Sequence, residues 1–249
     1  MMGLGALSHL FYPWGLLLQL LAIVHFIRRR PDTYWLYVIL FIGPIGAAIY
    51  IIAEVVPDLG LMRSSFKAFP RRKRIKQLLV MVKDNPSPGN FEELGDLYFE
   101  EKDYALAKES FDRSITPRSY TLDSYYRRGL CLIELGQPSE AITDLEKVVN
   151  EEPGYDFQRA TGMLAQAYAL TGQKQRAETL FLRAIETSTS SETYIHYAAL
   201  LHSEGRDTEA RAWAQKVLDK KATLPGYLKR RERPWFRSAN QMLKQLPTV

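Results

Sequence analysis

Residues 125–145 read YYRRGLCLIELGQPSEAITDL. An aromatic (Tyr125) is followed by a small residue (Gly129), a Leu (Leu132), a Gly (Gly136), an Ala (Ala141) and a large apolar residue (Leu145). The same order returns on both sides. Before it stand Phe91, Gly95, Tyr98, Ala107 and Phe111; after it Ala165, Tyr168, Gly172, Ala177 and Phe181, then Tyr194, Ala198, Leu201, Gly205, Ala210 and Ala214. Ala107, Ala141, Ala177 and Ala210 lie 34, 36 and 33 residues apart. A period near 34 residues marks a solenoid of helix pairs. The chemistry fits that reading. Small residues let the two helices of a hairpin approach closely, aromatics fill the space between hairpins, and Gly supplies the permissive turn between helices.

These residues together resemble the tetratricopeptide repeat family. The resemblance runs from Phe91 to about Ala222 and implies an all-α fold. Four hairpins are expected at about 88–121, 122–155, 158–190 and 191–222 of a solenoid spanning 75–222. Pro153 closes the second repeat as the family's Pro does, while the first has Asp103 where Gly usually turns the chain. The stripe Ile75, Leu78, Leu79, Val82 predicts a helix over 75–85 covering the N-terminal end. Trp235, Phe236, Ala239, Met242, Leu243 and Leu246 predict a second cover within 223–249, its polar side outward, as end repeats need.

The front of the chain has a different composition. Leu10–Ile27 is apolar except for Gln19 and His25, and Tyr34–Val56 except for Glu54. Both runs are near the ~20 residues that cross a bilayer. The expectation is therefore a two-helix transmembrane anchor over 1–60, with spans at about 8–27 and 34–56. A cleaved signal peptide would need positive charge ahead of the run; residues 1–9 carry no Lys or Arg. Trp35, Gly43, Pro44, Gly46 and Tyr50 are similar to the hairpin that precedes the catalytic domains of cardiolipin synthases. The phospholipase D signature His-x-Lys-x4-Asp is absent, so that resemblance implies an anchor and no lipid synthesis. Gly43, Gly46 and Ala47 would allow close helix contact, more simply between the two spans than across a dimer, although self-association remains a reading.

Charge is strongly segregated. Residues 63–83 carry eight positive and no negative charges, 84–219 fourteen and twenty-four, and 220–249 eight and one. Arg28–Arg30 lie between the two runs, and seven basic residues from Arg63 to Lys76 follow the second. Two full spans would put these clusters on opposite sides, against the positive-inside rule for one of them. Seven outweigh three, which places the repeats in the cytoplasm of a bacterial inner-membrane protein. Residues 61–74 read as a basic juxtamembrane linker, with Arg71, Arg72, Lys73 and Arg74 against lipid headgroups, at ~1 kcal/mol per basic group. Nucleic acid is not expected, since the basic run adjoins a predicted span.

No catalytic constellation is present. Cys131 is the only cysteine, which excludes internal disulfides and Cys-based zinc sites, and it reads as a buried inert thiol. The four histidines show no metal-binding spacing, and no phosphate-cradling loop or nucleophile elbow occurs. No metal, cofactor or catalytic residue is expected, and the chain reads as a non-enzyme. The function that remains is binding. In the family, the first helix of each hairpin lines a concave groove. The resemblance puts Glu92, Asp96 and Phe99 there from the first repeat, and Tyr126, Leu130 and Ile133 from the second. Gln166 comes from the third, and Ile195, Ala199 and His202 from the fourth. Family members that grip a carboxylate use basic residues at the opening positions. Glu92 and Asp96 have the opposite sign and suit a basic or amphipathic protein segment. The expectation is a membrane-anchored scaffold that recruits a protein partner. The alternative is a non-catalytic accessory subunit of a membrane lipid- or envelope-processing enzyme.

Overall fold

The computed structural model describes residues 14–29, 33–55, 63–117 and 121–247, which fall into two compact units, Met1–Arg74 and Ile75–Val249. Among the described residues there is no strand pairing beyond an isolated bridge residue at Thr116; the fold is all-α. Helix α1 is Trp14–Arg29, α2 Tyr34–Phe41 and α3 Pro44–Tyr50, with a π-helical turn at Ile51–Val55. Helix α4 is Arg63–Asp84. The repeats follow as α5 (Pro88–Glu100), α6 (Tyr104–Ser114), α7 (Leu122–Glu134), α8 (Pro138–Glu151), α9 (Arg159–Leu170), α10 (Lys174–Thr187), α11 (Ser191–Ser203) and α12 (Asp207–Thr223). Helices α13 (Gly226–Arg231) and α14 (Arg233–Gln245) close the chain.

The first unit corrects the expected transmembrane hairpin. Among the described residues no helix is long and apolar enough to cross a membrane. The first expected span is α1, with sixteen residues; positions 8–13 lie outside the described residues. The second is not one helix. At Gly43 (φ 65°, ψ −140°) the chain leaves helical geometry, and Pro44, which has no N–H to continue a helix, opens a new one. The two short helices fold closely on each other: a Cβ on Gly46 would collide with the Val38 carbonyl oxygen. The similarity to the cardiolipin synthase hairpin therefore gains no support. The basic stretch expected as a linker is helical instead, forming the first half of α4 with Pro70 inside it.

The repeat unit is built from four helical hairpins. Gly95 lies where a Cβ would meet the Phe111 ring at 2.7 Å, and Gly129 where it would meet Leu145 at 2.9 Å. Ala107, Ala141, Ala177 and Ala210 are fully buried on the facing helices. One core runs through the second, third and fourth hairpins, around Tyr126, Leu145, Phe181, Tyr197 and Leu201. Each buried large side chain of this kind stabilises by about 1.5–3 kcal/mol. Helix α14 packs on α11 and α12 through Phe236 and Ala239. The Arg211 guanidinium ties its end down by donating to the Leu246 and Pro247 carbonyls at 2.9 and 2.7 Å. In α4, Leu78 and Val82 are buried and Leu79 is exposed.

All four hairpin turns close alike. The amides of Asp103, Gln137, Gln173 and Arg206 return to the carbonyls five residues earlier at 2.8–2.9 Å. The preceding residue has positive φ: Gly136, Gly172 and Gly205 at 74°, 79° and 76°, and Lys102 at 64°. Lys102, not Asp103, thus holds the Gly position of the first repeat. Asp103 caps the next helix, its Oδ1 accepting from the Leu106 amide at 3.2 Å. The connection from α8 to α9 is irregular. Asp156, Phe157 and Gln158 all have positive φ (48°, 53° and 68°).

Candidate binding face of the repeat unit

The first helices touch in sequence order, α5 with α7, α7 with α9 and α9 with α11, and so present one continuous face. Polar side chains pair across it from repeat to repeat. The Arg127 Nε lies 3.6 Å from Asp96 Oδ1 and 3.4 Å from Asp123 Oδ2. The Tyr155 hydroxyl donates to Asp123 Oδ1 at 2.7 Å, and the Tyr126 hydroxyl to Asp156 Oδ2 at 3.0 Å. Arg159 then grips Glu192 with two bonds, Nε to Oε2 at 2.6 Å and Nη2 to Oε1 at 3.3 Å. Thr121 donates to Glu92 at 3.3 Å near the N-terminal end.

These contacts set the electrostatics. Burial raises the Asp96 carboxyl above the usual carboxylate range, with Arg127 opposing the shift. Burial and the acceptor Asp156 push the Tyr126 phenol up, despite the opposing charge of Arg159. Burial works against the charge on Arg159, but its bond to Glu192 and the neighbouring acids outweigh it and hold the guanidinium protonated. Burial lowers His196 to about 4 against the pull of Glu192, and its ring meets Trp235 edge-on at 5.5 Å. Burial likewise pushes the Cys131 thiol up to about 12, which makes it unreactive.

Toward the C-terminal helices the face opens into a cavity of about 590 Å³. Its walls are the irregular turn with Asp156 and Phe157, the start of α11 with Ser190 and Glu192, and Lys220, Arg231, Glu232 and Trp235. Phe157 is 88% exposed. Lys220 stands 3.8 Å from Glu232 Oε2, too far for a hydrogen bond, and that buried oxygen accepts none.

The groove residues expected from the sequence are only partly brought together. Glu92, Asp96 and Phe99 are half-buried on α5, but Asp96 is met by Arg127, so that end is not simply acidic. Tyr126, Leu130 and Ile195 are corrections: at 2%, 3% and 6% exposure they are core residues. The reason is that first helices sit between two neighbours and bury a wide arc. Tyr126 is covered by Tyr155 of the irregular turn, and Ile195 shares a cluster with Phe236 and Ala239. Ile133 packs against the core edge, Gln166 is half-buried with an unbonded Oε1, and His202 holds Asp207 at 2.6 Å beside a hairpin turn. Arg72 and Lys73 of the proposed headgroup set are exposed and Arg71 and Arg74 half-buried on α4. The reading from sequence missed Asp123, Arg127, Tyr155, Asp156, Arg159 and Glu192. One signal could have found three of them: Asp123, Arg159 and Glu192 each stand eighteen residues before the buried Ala of their repeat. Among the described residues no three His, Cys, Asp or Glu side chains gather as a metal site would require.

The repeat unit is thus an all-α solenoid with the fold that tetratricopeptide repeats form. Family models described as tetratricopeptide repeat match residues 91–116 and 132–192. Solved structures share the fold. YrrB, a TPR protein with an unusual peptide-binding site, is 17% identical at a TM-score of 0.52, covering 64% of this chain and 81% of its own. MamA (41-end) from Desulfovibrio magneticus RS-1 is 18% identical at 0.57, covering 67% and 94%. TTC0263, a thermophilic TPR protein of Thermus thermophilus, is 22% identical at 0.51, covering 72% and 96%. At these identities the likeness is one of fold. No curated protein matches the chain.

Proposed function

We propose that the chain is a non-catalytic scaffold whose first-helix face holds a protein segment bearing both basic and apolar side chains. The observation that carries this reading is Phe157. It is an aromatic 88% exposed on a backbone of positive φ, at the rim of a cavity of about 590 Å³ with Trp235 among its walls. Strained backbone and an exposed aromatic beside a hollow are features of binding sites. Glu232 Oε2, buried without a hydrogen bond, offers an acceptor to an incoming cation, and the acidic excess over 84–219 favours the same charge. A peptide-binding site in YrrB supports the class of ligand, without identifying it. The test is selection from a random peptide library on the repeat-bearing chain, repeated with Phe157→Ser and Glu232→Gln. Enriched peptides should carry Lys or Arg near a large apolar residue and lose binding to both variants. Peptides that bind all three proteins equally would move the site elsewhere.

The first unit belongs to the same proposal as a membrane-associated part, with the repeats on the cytoplasmic side. Its outer surface supports this. Leu20, Leu21, Phe41, Ile45 and Ile52 are 60–84% exposed, an apolar display far beyond the scattered residues of an ordinary water-facing surface. Flotation of the full chain with vesicles of phosphatidylcholine and phosphatidylglycerol tests it, and a chain that stays at the bottom of the gradient overturns it.

A further inference from the structure

The first unit turns polar side chains inward and leaves large apolar ones outside. Gln19, in the middle of α1, turns inward and donates to the Ile39 carbonyl at 3.0 Å. His25 Nδ1 and the Tyr50 hydroxyl, also inward, share a hydrogen bond of 2.9 Å, and Tyr50 is fully buried. Leu16, Leu17, Leu20, Leu21, Ile45 and Ile52 face outward, around a small interior of Ala22, Trp35, Ile39 and Ala47. In water the reverse arrangement is favoured; in hydrocarbon every polar group must find its partner inside the protein. The acceptor Gln19 serves is informative. Ile39 lies in the last turn of α2, where the break at Gly43–Pro44 leaves carbonyls without helical partners. Interrupted backbone is tolerated at membrane depth only where protein satisfies it. The Gly46 contact with Val38 closes the same corner.

Length and charge complete the argument. Helix α2 has eight residues, about 12 Å at 1.5 Å per residue. Helix α3 with its π turn covers 44–55, about 18 Å by the same measure, and neither crosses the ~30 Å hydrocarbon core. Both flanks of this pair are basic: Arg28–Arg30 precede it, and Arg63, Lys67 and Arg71–Arg74 follow it with no acid among residues 63–83. A crossing would leave one basic cluster on the disfavoured side.

We propose that α2 and α3 form a re-entrant pair that enters and leaves one leaflet of the bilayer, with its corner at Gly43–Pro44 in the hydrocarbon. The end of α1 and the basic half of α4 then stand on the same side of the bilayer. This rests on the membrane reading above and adds the topology.

The experiment uses the full chain in bacterial cells, with Cys131→Ala to remove the native thiol and one new cysteine at Thr33, Phe41 or Lys73. Each is treated with a membrane-impermeant maleimide, first in intact spheroplasts and then after lysis. Thr33→Cys and Lys73→Cys should behave alike, both silent in spheroplasts and both labelled on lysis. Phe41→Cys should stay unlabelled until detergent is added. Labelling of Thr33→Cys from outside while Lys73→Cys is protected would establish a crossing, which overturns the re-entrant pair and leaves the membrane reading standing. Recovery of the chain in the aqueous fraction, with Phe41→Cys either labelled or shielded by a second copy, would overturn both.

Discussion

Arg159 and Glu192 stand thirty-three residues apart in the chain and are joined by two hydrogen bonds, of 2.6 and 3.3 Å, between α9 and α11. The Glu192 side chain is 12% exposed, and that guanidinium meets both of its carboxylate oxygens. Hydrogen bonds to charged groups contribute ~1.5–3 kcal/mol, and Arg159, at 37% exposure, belongs at the lower end. Arg159→Met should lower unfolding stability by about 1.5–2 kcal/mol. Adding Glu192→Gln should restore part of the loss, because the stranded charge is gone. Denaturant melts of the two single variants and the double variant check this; strictly additive losses would show that the pair is uncoupled.

Lys102 and Gly136 occupy equivalent turn positions at φ 64° and 74°. Only Gly takes this conformation without cost. Lys102→Gly should therefore stabilise the chain by about 0.5–1 kcal/mol and Gly136→Ala destabilise it by about 1 kcal/mol or more. Opposite shifts in melting temperature are the readout.

Gly95 and Gly89 share α5 and differ in surroundings. A Cβ at Gly95 would come within 2.7–2.9 Å of the fully buried Phe111 ring, whereas at Gly89 nothing lies within 4 Å. Gly95→Ala should cost about 1–3 kcal/mol, and Gly89→Ala should be neutral or slightly stabilising. Loss at both positions would mean that backbone freedom, not packing, governs this helix.

His196 carries a pH dependence. Its value falls from 6.5 in an unfolded chain to about 4 in the fold, so below pH 6.5 the unfolded chain binds the extra proton. Stability from this group is complete above about pH 6.5 and is lost as pH falls toward 4. His196→Gln should remove about 2–3 kcal/mol of the difference in unfolding free energy between pH 7 and pH 4. An unchanged pH profile in the variant would place the dependence on other groups.

The repeats were legible because their signal is local and redundant: the buried Ala and its small partner recur at nearly fixed spacing in four copies, and the turn Gly in three. The first-helix face was legible only in outline. Helix periodicity locates the first-helix side, but whether Tyr126 or Arg127 reaches the surface depends on neighbours. Here Tyr155, supplied by the irregular turn between α8 and α9, covers Tyr126. The N-terminal runs misled for a related reason. Hydropathy sums composition over a window, and one backbone torsion at Gly43 divides the run into two helices.

The two ends of the repeat unit are secured unequally. At the C-terminus, α14 lays Phe236 and Ala239 on the last hairpin, and Arg211 clamps the carbonyls of Leu246 and Pro247. At the N-terminus, α4 packs far less extensively on the repeat helices, although its Leu78 and Val82 are buried. Because each hairpin is held mainly by its neighbours, disorder spreads inward from the looser end. Amide protons should consequently exchange with solvent along a gradient, fastest in α5 and α6 and slowest in α9 to α11. The molecule would then fray by whole hairpins, and the cavity beside Phe157 would keep its shape after the first repeat has already opened.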